Sequence, residues 1–293
     1  MNEKGFFNKL KIYLIFAGPT TFAFFAVIII PFIFGIYLTF TDWNGLSSTY
    51  SFVKIANYIS ILYDSAFWTS FLLTLKYVFY TVVIVNVMAF TLGYFLTSGI
   101  KGENFLRAGF FIPNLIAGIV LGLIWRFIFS RVLVYLGQNV NLGIFSTSWL
   151  GNPDKAFWTL VIVSVWQYSG YMMLIYIAGF MNVPKSVLEA ATIDGASSFQ
   201  KVKSIIAPLM IPSFIISIFL TLQRAFLVYD VNLALTNGDP FKSTELLSLH
   251  IYRKAFLAQD YAIGQSQAFF FFLIVAGITF TQVYFSKKLE VEQ

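Results

Sequence analysis

The stretch Phe157–Met181, "FWTLVIVSVWQYSGYMMLIYIAGFM", decides the fold. It runs for 25 residues without one charged side chain. At about 1.5 Å per helical residue it exceeds the ~30 Å hydrocarbon thickness of a bilayer. A backbone in lipid must satisfy its own hydrogen bonds, and the apolar residues here lack the alternation of period two that a barrel strand shows. The stretch therefore reads as a transmembrane helix.

Five further segments of the same kind surround it, at about 12–40, 69–98, 108–130, 206–235 and 264–285. The whole chain of 293 residues is 58% hydrophobic and only 11% charged, where a soluble domain carries about a quarter charged residues. The expected fold is all-α: one polytopic integral membrane domain over residues 1–293, with six transmembrane helices. The N-terminal "MNEKGFFNKLKIYLIF" has the basic start of a secretory signal, but the apolar run that follows is longer than a signal core of about 7–15 residues. It is expected to be the first permanent span.

The chain has no cysteine and a single histidine, His250. That excludes disulfides and thiolate metal sites and leaves little for zinc or imidazole catalysis, so no metal and no catalytic residue is expected. The net charge of +6 is spread between the apolar runs as basic loops, a membrane pattern and not a nucleic-acid one. With the N-terminus inside, the inner side collects ten basic residues (Lys4, Lys9, Lys11, Lys101, Arg107, Lys185, Lys201, Lys203, Lys287, Lys288) and the outer side six (Lys54, Arg131, Lys155, Lys242, Arg253, Lys254). This bias predicts that both termini are cytoplasmic and that the connections 41–68, 131–156 and 236–263 lie outside. In the last of these, Leu246, Leu249 and Phe256 at helical spacing predict a short surface helix.

Between spans four and five, residues 182–207 face the cytoplasm in this topology. "EAATIDGASSFQ", Glu189–Gln200, is polar where its surroundings are not. Pro184 suits a first helical turn, Val187, Leu188, Ala191 and Ile193 give "KSVLEAATID" an apolar face, and Gly195 ends that helix. Ser197 and Gln200 have the spacing of a capping box that opens a second helix, which runs through Ile205 to Pro208. The segment is expected to be a helical hairpin outside the lipid.

Glu189, Ala190, Ala191, Gly195, Ile205 and Pro208 have the residue types and spacing of the EAA loop of the permease subunits of binding-protein-dependent ABC importers. Ala207 departs from it, standing where the family has leucine. "PFIFGIYLTFTDWNG" (31–45), "FLRAGFFIPNLIAGIVLGLIWRFIF" (105–129) and "LTNGDPFKSTELLSLHIYRKAF" (235–256) extend the resemblance to the carbohydrate branch, the maltose, multiple-sugar and glycerol-phosphate permeases. The resemblance implies an ATPase-coupling loop of Glu189, Ala190, Ala191, Asp194, Gly195, Ile205 and Pro208, docking on a separate ABC ATPase that carries ATP and Mg. It implies no cofactor in this chain, and as partners a second homologous permease, an extracellular or periplasmic solute-binding protein and an oligosaccharide or related sugar. Solvation of a loop by Glu189 and Asp194 is the plainer account of the two carboxylates.

Polar residues in spans are costly and need a reason. Lys76 and Arg126 read as side chains that snorkel to an interface. Ser164, Gln167, Tyr168 and Tyr171 in span four, and Thr221, Gln223, Arg224 and Asp230 in span five, are the candidate substrate pathway, because a sugar needs hydrogen-bond partners and flat apolar faces. Interhelical hydrogen bonding is the competing role for each. Two other classes of protein have different requirements. An intramembrane enzyme needs a nucleophile or metal motif, and neither HExxH nor GxSxG occurs; an ion-coupled secondary transporter is expected to carry paired repeats and intramembrane carboxylates.

Overall fold

In the computed structural model residues 5–288 are described. Lys4 lies outside them, as do the side chains of Lys9 and Lys287. Among the described residues the chain is helical: five single helices are long and apolar enough to cross a membrane, and six such elements result if the bent pair Ser198–Leu209 and Ile211–Phe226 counts as one span. Residues 5–64 with Ile251–Phe271 form one compact unit, and Ser65–His250 with the remainder form a second.

The first unit contains α1 (Phe6–Phe16), α2 (Gly18–Leu38) and α3 (Ala56–Tyr63). Its loop is tied down by buried amides. Asn57 Nδ2 donates to the carbonyls of Thr39 and Thr41, both at 2.8 Å, and Gln267 Nε2 donates to Asp64 Oδ2 at 3.1 Å.

The second unit holds α4 (Ser65–Leu96), α5 (Glu103–Phe111), α6 (Gly118–Asn139), α7 (Pro153–Asn182), α8 (Lys185–Ile193), α9 (Ser198–Leu209), α10 (Ile211–Phe226) and α11 (Asp230–Leu235). Then α12 (Leu247–Tyr252) and α13 (Tyr261–Lys287) each run across the boundary between the units. Helix α7 starts where the sequence dictates: Asn152 Oδ1 accepts from Lys155 N at 3.1 Å and Pro153 occupies the first turn. It is also the most enclosed span. In its most apolar window 72% of residues are buried, against 6% for α2 and α13, so α7 is the axis against which α4 and α10 pack.

Several boundaries differ from the hydropathy reading. Over 108–130 the chain forms the end of α5, a 3₁₀ turn at Ile112–Leu115, an extended residue at Ile116, and only then α6. Pro113 and the backbone turn at Ile116 interrupt the helix while the side chains stay apolar, so hydropathy passes over the break. Arg126 and Arg131 consequently lie within α6 and not at its outer end. The helical stretch over 206–235 is broken twice: α9 and α10 meet at Met210 with a bend of 73°, and Leu227–Tyr229 separate α10 from α11. Pro184 is the N-cap of α8, with ψ 126°, and so precedes the first turn. The expected surface helix is instead buried at Leu246 and Leu249, 1% and 0% exposed. Beside it His250 Nδ1 lies 3.0 Å from Glu245 Oε1 in a buried pair, which gives the chain's one histidine a structural partner.

Lys76 lies within α4, exposed, its ammonium 4.6 Å from the Phe157 ring centroid. The residues after it up to Leu96 suffice for about 30 Å of helix, a full hydrocarbon thickness.

Candidate functional site

Two regions of the second unit gather the polar residues. The first is a cavity of about 500 Å³, within the range of small-molecule sites. Gln167 and Tyr168 come from α7, Gln223 and Arg224 from α10, Asp230 from α11, and the non-helical Leu227–Tyr229 completes the wall. Gly118 and Gly122 at the start of α6 let α11 close the other side. A Cβ on Gly118 would lie 2.8 Å from Asp230 Cβ, and one on Gly122 2.6 Å from Ala234 Cβ. The Gly-x-x-x-Gly spacing of "GIVLG" is the sequence signal for such close helix approach.

Arg224 has a defined seat. Its Nη1 donates to Asn114 Oδ1, and the guanidinium lies 4.9 Å from the Tyr171 ring centroid and 5.4 Å from that of Tyr168. Arg224 has no ion pair among the described residues; Asp230 lines the same cavity without bridging to it. Cation–π contacts of this kind contribute about 0.5–2 kcal/mol each, the more when desolvated. Asn114 and the two rings hold the positive charge without cancelling it, which suits a ligand rich in acceptor oxygens. Gln167 is 7% exposed; its Nε2 donates to the Ile116 carbonyl at 3.3 Å, satisfying the break between α5 and α6, and its Oε1 has no partner.

Three candidates lie outside this lining: Tyr171, which packs on Arg224, and two that lie further into the helix contacts. Ser164 is fully buried and shares a 2.6 Å hydrogen bond with Tyr77 of α4. Thr221 donates to the Ser217 carbonyl at 2.7 Å and lies 3.5 Å from Asn86 Nδ2. Both occupy helix packing. Asn86 itself, absent from the sequence candidates, joins three spans: its Oδ1 accepts from Tyr176 of α7 and Ser217 of α10, each at 2.7 Å.

The second region is the hairpin α8–α9. Helix α8 ends in a Schellman arrangement: Ala196 N donates to Ala191 O at 2.9 Å and Gly195 N to Thr192 O at 3.1 Å, with Gly195 at φ +78°. The capping box forms as its spacing predicts. Ser197 Oγ accepts from Gln200 N at 3.3 Å and Ser197 N donates to Gln200 Oε1 at 2.8 Å. Ala191 is buried against the protein, while Glu189, Ala190, Asp194 and Gly195 face outward and Ile193 is 87% exposed. Ile205 and Pro208 are half-buried on α9 just before the bend. Lys201 Nζ donates to Thr192 Oγ1 at 2.7 Å and so ties the two arms. Among the described residues no group of three metal-ligating side chains occurs.

Comparison with known proteins gives the family and the fold. Residues 89–291 match the family described as binding-protein-dependent transport system inner membrane component. Over 293 residues, all of both chains, the sequence is 42% identical to the probable starch degradation products transport system permease protein AmyD of Thermoanaerobacterium thermosulfurigenes. It is 31% identical, over 89% of this chain and 90% of the relative, to the multiple sugar-binding transport system permease protein MsmF of Streptococcus mutans. In fold it resembles a chain of a bacterial ABC transporter involved in the import of the acidic polysaccharide alginate, with a TM-score of 0.82 over 98% of this chain and 99% of that one, at 17% identity.

Proposed function

We propose, from the premise that this chain belongs to the family of binding-protein-dependent transport system inner membrane components, that it is the permease subunit through which an ABC importer takes up an oligosaccharide of the kind released from starch. The protein is a multi-pass inner membrane component without catalytic machinery, and ATP is bound by a separate ATPase. The sugar class is supported by the relatives, whose names carry starch degradation products and multiple sugars.

The observation that carries the coupling role is the placement of the hairpin. Its first arm, α8, follows α7, and α7 holds Gln167, Tyr168 and Tyr171; its second arm, α9, leads through the bend into α10, which holds Gln223 and Arg224. A partner that moves the hairpin therefore moves two walls of the cavity. Glu189 and Ala190 on the exposed face, flanked by the exposed apolar Ile193 and Phe199, supply one charge and an apolar contact for an ATPase cleft. Asp194 adds a second carboxylate to that face, Gly195 sets the angle between the arms, and Ile205 and Pro208 fix α9 at the bend.

The pathway forms between this chain and a second, homologous permease, and a solute-binding protein delivers the sugar from the opposite face. In the cavity Arg224, Gln223, Gln167 and Asp230 hydrogen-bond hydroxyl groups and Tyr168 offers a ring face, while Tyr171 acts through its contact with Arg224. Ser164 and Thr221 act on the pathway only through helix packing. Reconstitution of the complex in proteoliposomes tests this reading: ATP-dependent uptake of starch-derived oligosaccharides is expected, and Glu189→Arg is expected to release the ATPase and abolish uptake while the permeases stay assembled. An ATPase that remains bound and active in uptake with Glu189→Arg would exclude the docking role.

A further inference from the structure

We propose that the cavity between the hairpin and the spans is a binding site for a phosphodiester carrying an apolar chain, the chemistry of an acidic phospholipid, and that its occupant stiffens the link between hairpin and pathway. The proposal rests on the coupling role of the hairpin. The cavity has a volume of about 650 Å³, and its walls are the end of α4, the end of α7 and both hairpin arms. These are the elements that hairpin motion displaces against one another.

The donors in this cavity divide into used and unused. Thr97, Ser98 and Thr192 direct their hydroxyl hydrogens to carbonyls of their own helices. Lys201 is half-buried and gives one bond, to Thr192 Oγ1, while Lys185 and Ser198 have no side-chain partner among the described residues. An ammonium group carries three donor hydrogens, so Lys185 on the first arm and Lys201 on the second leave donors free on both sides of the cavity. Neither lysine forms an ion pair among the described residues. Lys201 is half-buried and Lys185 exposed, and Glu189 lines the same cavity without pairing with either; the two cations together favour an anion with several acceptor oxygens.

Charge and apolarity narrow the class. Two lysines and Glu189 give the lining a net charge of +1, which matches a monoanionic phosphodiester better than a phosphate monoester of about −1.5 to −2. Phe180, Val183, Leu188 and Ile206 form an apolar wall, continued outward by Met181, 74% exposed. A soluble phosphate leaves that wall wet; an acyl chain covers it. The site also lies where α4 and α7 end, at the expected level of headgroups.

The assembled transporter, placed in nanodiscs of phosphatidylcholine with and without phosphatidylglycerol, tests the assignment through lipid retained in native mass spectrometry and through solute-stimulated ATPase activity. Retained phosphatidylglycerol and a higher coupled rate are expected for the native complex. Lys185→Gln and Lys201→Gln should each weaken retention about fivefold, the effect of one basic residue near an anionic surface. Lys101→Gln, on the exposed turn after α4, should leave it unchanged. Retention in the double glutamine variant equal to native, or an equal loss with Lys101→Gln, would overturn the site. Soluble glycerol phosphate that raised the rate in pure phosphatidylcholine would overturn the lipid assignment. ATPase retention scored with Ile193→Asp, an exposed residue of the docking face outside this lining, reports separately on docking, so failure of one reading is distinguishable from failure of the other.

Discussion

Asn86 shows how a single side chain can organise a span region. Its carboxamide sits in α4, 9% exposed, accepts from Tyr176 and Ser217 at 2.7 Å each, and donates to the Val82 carbonyl of its own helix at 2.8 Å. Interhelical hydrogen bonds in membranes average about 0.6 kcal/mol each, so Asn86→Ala should destabilise the subunit by about 1–2 kcal/mol in thermal unfolding in detergent. On a Tyr176→Phe/Ser217→Ala background the same substitution should cost less than half as much, since its partners are already gone; equal costs in both backgrounds would remove the node. The sequence could not reveal this residue. Its partners are 90 and 131 positions away, and a lone amide in "VIVNVMAF" carries no local pattern. Arg224 was visible as an expensive charge in a span, but its seat on Asn114 and two tyrosines follows from the breaks in α5–α6 and α10–α11, which no spacing announces.

Elements divide by whether their determinants are local. The hairpin was legible because its signals lie within a few residues: the Ser197–Gln200 box and the left-handed Gly195 are each set by neighbours in sequence, while of the expected apolar face of α8 only Leu188 and Ala191 turn inward and Val187 and Ile193 are exposed. The break at Leu227–Tyr229 was not, because apolar composition continues through it and hydropathy measures solvent preference, not backbone geometry; the break at Ile116 had a local signal in Pro113 that hydropathy passes over. The close approach of α6 and α11 belongs with the second kind. A Cβ at Gly122 would lie 3.0 Å from the backbone nitrogen of Leu235 as well as 2.6 Å from Ala234 Cβ, and backbone cannot rotate away. Gly122→Ala should therefore cost about 1–3 kcal/mol. The strain falls on α11, whose first residue Asp230 lines the cavity, so uptake should fall more than assembly does. Transport at the native rate with unchanged thermal stability would show that the helices separate freely there.

At the scale of the molecule, orientation is the property that the fold constrains without deciding. Helix α7 is continuous over 30 residues, about 45 Å of helix, so if it crosses a hydrocarbon layer of ~30 Å its flanking segments must emerge on opposite sides. The loop before it and the hairpin after it are then a pair whose sidedness reads out the whole topology. Basic residues choose between the two directions, and the structure sharpens their bias, since Arg131, counted outside, belongs to α6 while Lys185, Lys201 and Lys203 remain with the hairpin. The chain has no cysteine, so single substitutions report without background. Gly143, where an added Cβ meets nothing within 4 Å, and exposed Ser186 on α8 are tolerant positions. In intact cells a membrane-impermeant maleimide should label Gly143→Cys and not Ser186→Cys, and opening the membrane should expose the second. Labelling of Ser186→Cys from outside would invert the topology and put the hairpin out of reach of any cytoplasmic ATPase. That outcome would remove the coupling role even though every capping bond that shapes the hairpin stayed in place.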